Sequence, residues 1–173
     1  LDNVIATHPL FPYAHYNKGA ALRLMGACDE SKQEFATALA LGMGPLQRAG
    51  LVVAGRIIAD AASGVSGAGR KASEELSFCE VEDDYRAYKV LKHQHTPEMS
   101  QHLSEMAGRR VPVTFTSHLL PVRRGILATL HARVRPGVTA QQVAEVYQGA
   151  FGKQPFISLY GAPDEVSLKQ VVG

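Results

Sequence analysis

The segment His93-Gln-His-Thr-Pro-Glu98 holds the side chains best suited to proton chemistry. His93 and His95 share one side of an extended segment, and Glu98 follows in the first turn of the next helix. Histidine titrates near neutral pH, and a nearby carboxylate can fix its tautomer and raise its pKa. The same side chains, with His118, could instead bind Zn or Fe. A surface loop without a site is the third interpretation, and these residues alone leave all three open.

A glycine-rich loop, Ser-Gly-Val-Ser-Gly-Ala-Gly-Arg over residues 63–70, is the second candidate. Successive backbone N–H groups without β-carbons in the way can form a concave site for a phosphate, to which Arg70 and Lys71 would add charge. The residues in question are Ser63, Gly64, Ser66, Gly67, Gly69 and Arg70. A tight exposed turn is the alternative, since the loop matches neither a Walker nor a Rossmann motif. Its glycine content excludes a regular helix or a central strand.

The third candidate lies in residues 117–125, which we interpret as a loop containing His118, Arg123 and Arg124. A guanidinium there could bind a carboxylate or a phosphate through two hydrogen bonds. Because adjacent arginines rarely face the same way, we expect one of the pair to be a solvated surface charge.

Apolar periodicity predicts the elements that carry these loops. We expect strands over residues 56–61, 85–91, 111–115, 126–134 and 156–160. Thr96 is expected to cap a helix that ends at Gly108, and Thr139 with Gln142 predicts a capping box for the last helix. Because helices and strands do not alternate regularly, the pattern favours an α+β domain with packed helices on a mixed or antiparallel sheet.

The N-terminal part reads as two helices over residues 13–42, followed by a Gly/Pro-containing connection from Gly42 to Gly55. Residues 8–42 weakly resemble a single tetratricopeptide repeat. Because one such repeat cannot bury its own apolar face, we expect a helical hairpin in residues 1–42 that packs on a main domain of residues 43–173. This hairpin is a candidate surface for a protein partner.

Composition narrows the class of protein. The chain has 173 residues, of which 46% are hydrophobic and 20% charged, as in an ordinary globular domain. A net charge of +2 with scattered basic residues argues against a nucleic-acid partner, and no apolar run would span a membrane. Cys28 and Cys79 are expected to be buried thiols. The N-terminus lacks a signal-peptide pattern, so we expect a cytoplasmic location.

Several motifs occur in the order and spacing of one enzyme family. They are Phe35-Ala-Thr-Ala-Leu, the glycine-rich loop with Lys71, Phe78-Cys-Glu-Val, Tyr88 with the histidine segment, Phe115-Thr-Ser-His118-Leu with Pro121-Val-Arg-Arg124-Gly125-Ile-Leu-Ala-Thr129, and Val171-Val-Gly173. From about residue 35 to 173 the chain resembles the catalytic and dimerisation domain of N-acetyl-gamma-glutamyl-phosphate reductase.

The resemblance implies an α+β fold similar to the C-terminal domain of glyceraldehyde-3-phosphate dehydrogenase. Enzymes of this family reduce an acyl phosphate of arginine biosynthesis with NADPH, after a cysteine has attacked the acyl carbon and phosphate has left. By position, the resemblance makes His93 the catalytic acid/base and Glu98 its orienting carboxylate. It makes the glycine-rich loop, His95 and Arg124 the substrate or phosphate site, and it favours acid/base chemistry over a metal, so no metal is expected.

Two departures limit what the chain is expected to do alone. Glu34 stands where the family has its nucleophilic cysteine, and a carboxylate attacking an acyl phosphate would give a mixed anhydride that is no better as a hydride acceptor. Cys28, six residues before Glu34, is not expected to replace it. No Gly-x-Gly-x-x-Gly motif opens a helix after an early strand, so NADP is not expected to bind this chain alone.

These observations predict a homo-oligomeric reductase-derived domain that is inactive by itself. The main alternative is a protein- or phosphometabolite-binding module, and a metal-dependent site at His93, His95 and Glu98 is the third.

Overall fold

The computed structural model describes residues 34–53, 55–69, 72–162 and 165–171. Its helices and strands, in chain order, are α1 Glu34–Arg48, β1 Ile57–Gly64, α2 Phe78–Val81, β2 Arg86–Tyr88, α3 Thr96–Ala107, β3 Val113–Leu120, β4 Ile126–His131, α4 Ala140–Phe151 and α5 Leu168–Val171. The 3-10 turns Val65–Ala68 and Glu74–Leu76 lie between β1 and α2. In these ranges every helix is too short or too polar to cross a membrane.

The four strands form one mixed sheet in the order β2-β3-β1-β4. β1 is parallel to β3, with Ile57 opposite Val113 and Gly64 opposite Leu120, and it is antiparallel to β4. β2 pairs with β3 in the antiparallel sense. The predicted α+β fold with a mixed sheet and packed helices is therefore confirmed.

The core lies between one face of this sheet and the helices. Ala59 and Ala61 of β1 and Phe115 of β3 are buried on this face, where Leu39 of α1 and Leu103 of α3 belong to the same apolar cluster. Since successive strand residues point to opposite faces, their neighbours lie on the other side of the sheet. On that second face Ile58 is 43% exposed and Leu127 is 44% exposed.

Helix α1 continues to Arg48, so the connection that we expected to begin at Gly42 is wrong. The expected domain boundary at residues 42–43 falls inside this helix. Tertiary contacts account for the difference. A β-carbon at Gly42 would collide with Leu130, and one at Gly44 would collide with Met106, so both glycines give these side chains room. The expected hairpin up to residue 33 lies outside the described residues.

Pro45 lies inside α1 and cannot donate a backbone hydrogen bond to the preceding turn. The hydroxyl of Tyr147, from α4, donates to the carbonyl of Gly42 close to this interruption. Burial raises the pKa of Tyr147 above its usual value, which keeps the hydroxyl protonated as a donor. Contacts from a distant helix thus support a segment that local sequence rules would end.

The strands also differ from expectation. β1 runs to Gly64, so Ser63 and Gly64 lie in a central strand, and the exclusion of a strand there was wrong. Ser117 and His118 belong to β3, not to a loop, because β3 pairs with β1 along eight residues. Residues 156–160, all of them described, form no strand, and Phe156 is 76% exposed.

The predicted start of α4 and the predicted end of α3 are confirmed, whereas the predicted cap at the start of α3 is wrong. At α4 the capping box is present, because Gln142 N–H donates to Thr139 Oγ1 at 3.2 Å and Thr139 N–H donates to Gln142 Oε1 at 2.9 Å. Helix α3 ends at Gly108 in the left-handed conformation, as expected. Thr96 does not cap it: the capping position is His95, and Thr96 Oγ1 is buried without a partner.

Cys79 is exposed, so the expectation that it is a buried thiol is wrong. It lies in the short helix α2, beside Phe78, which is also exposed. Cys28 lies outside the described residues.

Candidate active site

His93 lies in the turn between β2 and α3 and is only 6% exposed. Its ring makes edge contacts with Phe35 at 5.4 Å, Phe115 at 5.0 Å and Tyr88 at 5.7 Å between ring centroids. These aromatic rings come from helix α1 and from strands β3 and β2, and the rings of Phe115 and Tyr88 lie on the core face of the sheet. The fold therefore builds an apolar pocket around a single imidazole.

The charge state of His93 follows from this pocket. Burial, followed by electrostatic interactions with His95 and Lys89, lowers the pKa of His93 from 6.5 to about 4, and the Glu98 carboxylate opposes this shift. The ring is therefore neutral at physiological pH. The backbone N–H of His95 donates to His93 Nδ1 at 3.3 Å.

The Glu98 carboxylate hydrogen-bonds to His95, not to His93, which corrects the expected pairing. Glu98 Oε2 lies 2.7 Å from His95 Nδ1, and Gln94 Nε2 lies 3.3 Å from His95 Nε2. The His95 side chain is 8% exposed and that of Glu98 is 47% exposed. His95 is thus held from both sides, while its carboxylate partner stays in contact with solvent.

The metal-site interpretation is wrong for the described ranges, since no group of three His, Cys, Asp or Glu side chains there could hold a metal ion. Both ring nitrogens of His95 already have partners. His118 cannot join the cluster, because it follows Phe115 by three residues on β3 and lies on the opposite face. There its ring stacks on Tyr85 at 5.2 Å.

The turn that leads into His93 carries unusual backbone geometry. Lys89 has φ 45° and Leu91 has φ 56°, in the left-handed region that costs non-glycine residues about 1–2 kcal/mol. Leu91 is also 72% exposed, so burial of its side chain does not offset that cost. The strain lies in the segment that sets the position of the imidazole.

Several backbone amides of the glycine-rich loop already have partners within the protein. The backbone N–H of Gly64 donates to Gly125, that of Val65 to Val122 and that of Ser66 to Arg123. The N–H of Gly69 donates to the carbonyl of Ser66. Because the amides of Gly64, Ser66 and Gly69 already donate to protein carbonyls, these hydrogen bonds do not support a backbone phosphate site there, and the site at this loop stays a prediction.

Gly64 is required for the close approach of the turn after β3. A β-carbon there would lie 2.7 Å from Arg124 N and 2.8 Å from Val122 O, both backbone atoms. This contact brings the glycine-rich loop beside Arg123 and Arg124, whose side chains are exposed. Two of the sequence candidates are therefore neighbours, whereas Arg70 lies outside the described residues.

Tyr88 connects this loop to His93, a role that sequence analysis missed. Its hydroxyl lies 3.5 Å from the hydroxyl of Ser63, which is itself buried, and its ring contacts His93. Ser117 Oγ donates to the carbonyl of Tyr88 at 2.6 Å and so fixes this edge of the site. The sequence signal that could have revealed this edge of the site is the alternation along β3, because it places Phe115 and Ser117 on the same face of the sheet.

The residue after position 34 contacts the pocket around His93. Phe35, in α1, has its ring centroid 5.4 Å from that of His93.

One family of known proteins matches most of the chain. The family model described as "Semialdehyde dehydrogenase, dimerisation domain" matches residues 35–173. The chain belongs to this family. As a semialdehyde dehydrogenase dimerisation domain it includes the Phe35–Leu41 string, so the tetratricopeptide resemblance is not supported.

Two relatives of this chain share the same enzyme name. The semialdehyde dehydrogenase domain is 45% identical to N-acetyl-gamma-glutamyl-phosphate reductase of Pelobacter propionicus over 71% of this chain and 36% of that protein. It is 40% identical to the enzyme of that name from Geobacter sulfurreducens over 90% of this chain and 44% of the relative. The resemblance predicted from the motifs is confirmed, and the chain spans less than half the length of these relatives.

A solved aspartate semialdehyde dehydrogenase II from Vibrio cholerae is similar to the semialdehyde dehydrogenase domain at 17% identity and a TM-score of 0.47. The match covers 62% of this chain and 38% of that one.

Proposed function

We propose that this chain is the catalytic and dimerisation part of an NADP-dependent N-acetyl-gamma-glutamyl-phosphate reductase of arginine biosynthesis. The observation that supports the proposal is the contact of His93 with Phe35, the residue that follows position 34 in the chain. Relatives with this enzyme name support the substrate class, an N-acetylated acyl phosphate.

With Glu34 in place we propose that the chain does not reduce the acyl phosphate alone. In a Glu34→Cys variant, the introduced thiolate would attack the acyl carbon, and the bond from that carbon to the phosphate oxygen would break. Phosphate would leave with the electron pair, and a thioester would remain. His93 would stabilise the negative charge that develops on the carbonyl oxygen during this attack.

NADPH would supply the hydride for the step after thioester formation. The chain carries no dinucleotide-binding motif of the Rossmann type, so we assign no nicotinamide site to it and derive no step through the cofactor. The localisation that fits a biosynthetic enzyme of this class is the cytoplasm.

We propose that the substrate phosphate binds side chains, since the amides of Gly64, Val65, Ser66 and Gly69 already have partners. Arg124 offers a guanidinium beside the glycine-rich loop, and the half-buried Ser66 offers a hydroxyl on the same loop. A guanidinium and a hydroxyl together suit a phosphate dianion. On this account Arg124→Gln weakens phosphate binding, and Arg133→Gln, at another exposed arginine, does not.

The proposed chemistry is testable by acylation of a restored nucleophile. The native cysteines, Cys28 and Cys79, are first replaced by serine, and Glu34→Cys is added so that one thiol remains. The protein is incubated with the acyl phosphate, and its intact mass is followed. We expect one acyl group on the Glu34→Cys protein, released by hydroxylamine as a thioester should be.

The matched control carries Glu82→Cys, a thiol at an exposed position outside the aromatic pocket, in the same cysteine-free background. Equal acylation of the two variants would mean ordinary thiol reactivity and would contradict the proposal. Acylation of the unaltered chain, or NADPH oxidation by it, would overturn the claim that the chain is inactive alone.

We also propose that the second face of the sheet mediates self-association. This face carries the exposed Ile58 and Leu127, and the family description names a dimerisation domain. Leu127→Asp should convert a dimer into a monomer in sedimentation velocity experiments. Leu159→Asp, at a residue 40% exposed outside the sheet, should leave the dimer intact, and a dimer that survives Leu127→Asp would exclude this face.

A further inference from the structure

The hydrogen bond between the His95 backbone and His93 determines where the imidazole proton lies. A ring nitrogen that accepts a hydrogen bond has its lone pair free of a proton, so His93 Nδ1 is unprotonated. In the neutral ring the proton is then on Nε2. The ring planes of Phe35, Tyr88 and Phe115 meet the imidazole edge to face and restrict its rotation.

His95 is held so that it can make this contact. Its Nδ1–H donates to Glu98 Oε2, and its Nε2 accepts from the side-chain amide of Gln94. Both ring nitrogens are therefore used, and neither is left to bind a substrate. This arrangement satisfies a neutral ring protonated on Nδ1, the tautomer opposite to that of His93.

We infer that His95 and Glu98 are positioning residues, which fix His93 as a neutral Nε2–H hydrogen-bond donor. An imidazole with this proton cannot remove a proton through Nε2, so His93 acts by donating to an oxygen that gains negative charge. This assignment rests on the proposed function for its substrate, an acyl oxygen. It differs from the sequence expectations that His95 binds substrate and that Glu98 orients His93 directly.

Several charged groups around His93 bear on this assignment. Lys89 precedes it in the turn, and His95 and Glu98 follow it in the chain. The phenol of Tyr88 also contacts its ring. The Lys89 cation lies near His93, and the Glu98 carboxylate is bound to His95, so a second proton on His93 is disfavoured. The neutral donor form of His93 therefore persists across the physiological pH range.

The assignment can be tested in the unaltered chain, without substrate, by long-range proton–nitrogen correlation spectra of protein labelled with 15N-histidine. The seven histidines are assigned by single substitution. We expect His93 as the Nε2–H tautomer, with no titration between pH 6 and 8, and His95 as the Nδ1–H tautomer. A protonated Nδ1 on His93, or titration of His93 in this range, would overturn the inference.

The positioning role is tested by variants in the same spectra. Glu98→Ala should reduce the population of the Nε2–H tautomer of His93, and Glu98→Gln, whose amide oxygen can still accept from His95, should restore it. Glu105→Ala is the matched control, since Glu105 pairs with His102 three residues earlier on α3, as Glu98 does with His95. An unchanged His93 tautomer in Glu98→Ala would remove Glu98 from the assignment.

If Glu98→Ala does not fold, the tautomer of His93 in the unaltered chain still decides the inference. Because the spectra contain no acyl phosphate, their outcome is independent of the acylation experiment. Failure of the Glu34→Cys protein to become acylated would reject the proposed function and leave the tautomer assignment standing.

Discussion

Phe35 and His93 lie edge to face, with their ring centroids 5.4 Å apart. Phe35 lies in α1, and His93 lies in the turn before α3, so the contact joins two segments far apart in the chain. It brings the residue that follows position 34 against a buried imidazole. This relationship connects the fold to the chemistry that we propose.

The stability of the protein should fall as the pH is lowered through the range set by His93. Its pKa is about 4 in the folded protein and 6.5 ordinarily, so between these values the unfolded chain binds a proton that folded His93 does not. The stabilisation is complete above pH 6.5 and declines toward pH 4, with a total on the order of 3 kcal/mol. Urea unfolding at a series of pH values measures this slope.

The control for the pH prediction compares two histidines. His93→Gln should flatten the dependence between pH 6.5 and 4, and His102→Gln, at a half-buried residue of α3, should keep it. An equally steep dependence in His93→Gln would assign the slope to other groups.

Gly64→Ala should destabilise the protein by about 2–3 kcal/mol, because its β-carbon would meet backbone atoms of Val122 and Arg124 that cannot move aside. Gly67→Ala is the matched change in the same loop, where the nearest atom is Ser63 Oγ at 3.9 Å. We expect little effect there. Similar unfolding midpoints for the two variants would show that the turn after β3 tolerates displacement.

Leu91→Gly should stabilise the protein by up to about 1 kcal/mol, because glycine adopts the left-handed backbone of this residue without a steric cost. Leu91→Ala separates backbone strain from the loss of an exposed apolar side chain, since alanine keeps the β-carbon. Chemical unfolding of both variants measures the difference. A gain of the same size in Leu91→Ala would argue against strain as the cause.

Much of the fold was accessible from sequence because local patterns agreed with the tertiary structure. The Thr139–Gln142 capping box and the left-handed Gly108 are signals that depend on few neighbouring residues. Alternation also located β4 and the start of β3. It failed for residues 156–160, where no neighbouring strand pairs with the segment.

The candidate site was less predictable from sequence, because the groups that contact its residues come from distant segments of the chain. Sequence identified His93, His95 and Glu98 as neighbours, but it could not show that Glu98 bonds to His95. Nor could it show that carbonyls of the turn after β3 would occupy the amides of the glycine-rich loop. Helix α1 continues through Pro45 for the same reason, since contacts with other elements outweigh the local preference.

The account is tested most directly by the rate at which the Glu34→Cys protein, free of its native cysteines, is acylated with and without His93. If His93 donates to the acyl oxygen, His93→Ala, which removes the donor, should slow acylation by about 10²-fold or more, while Glu34→Cys alone forms the thioester. Equal rates with histidine and alanine at position 93 would contradict the claim that this imidazole and residue 34 form one catalytic site.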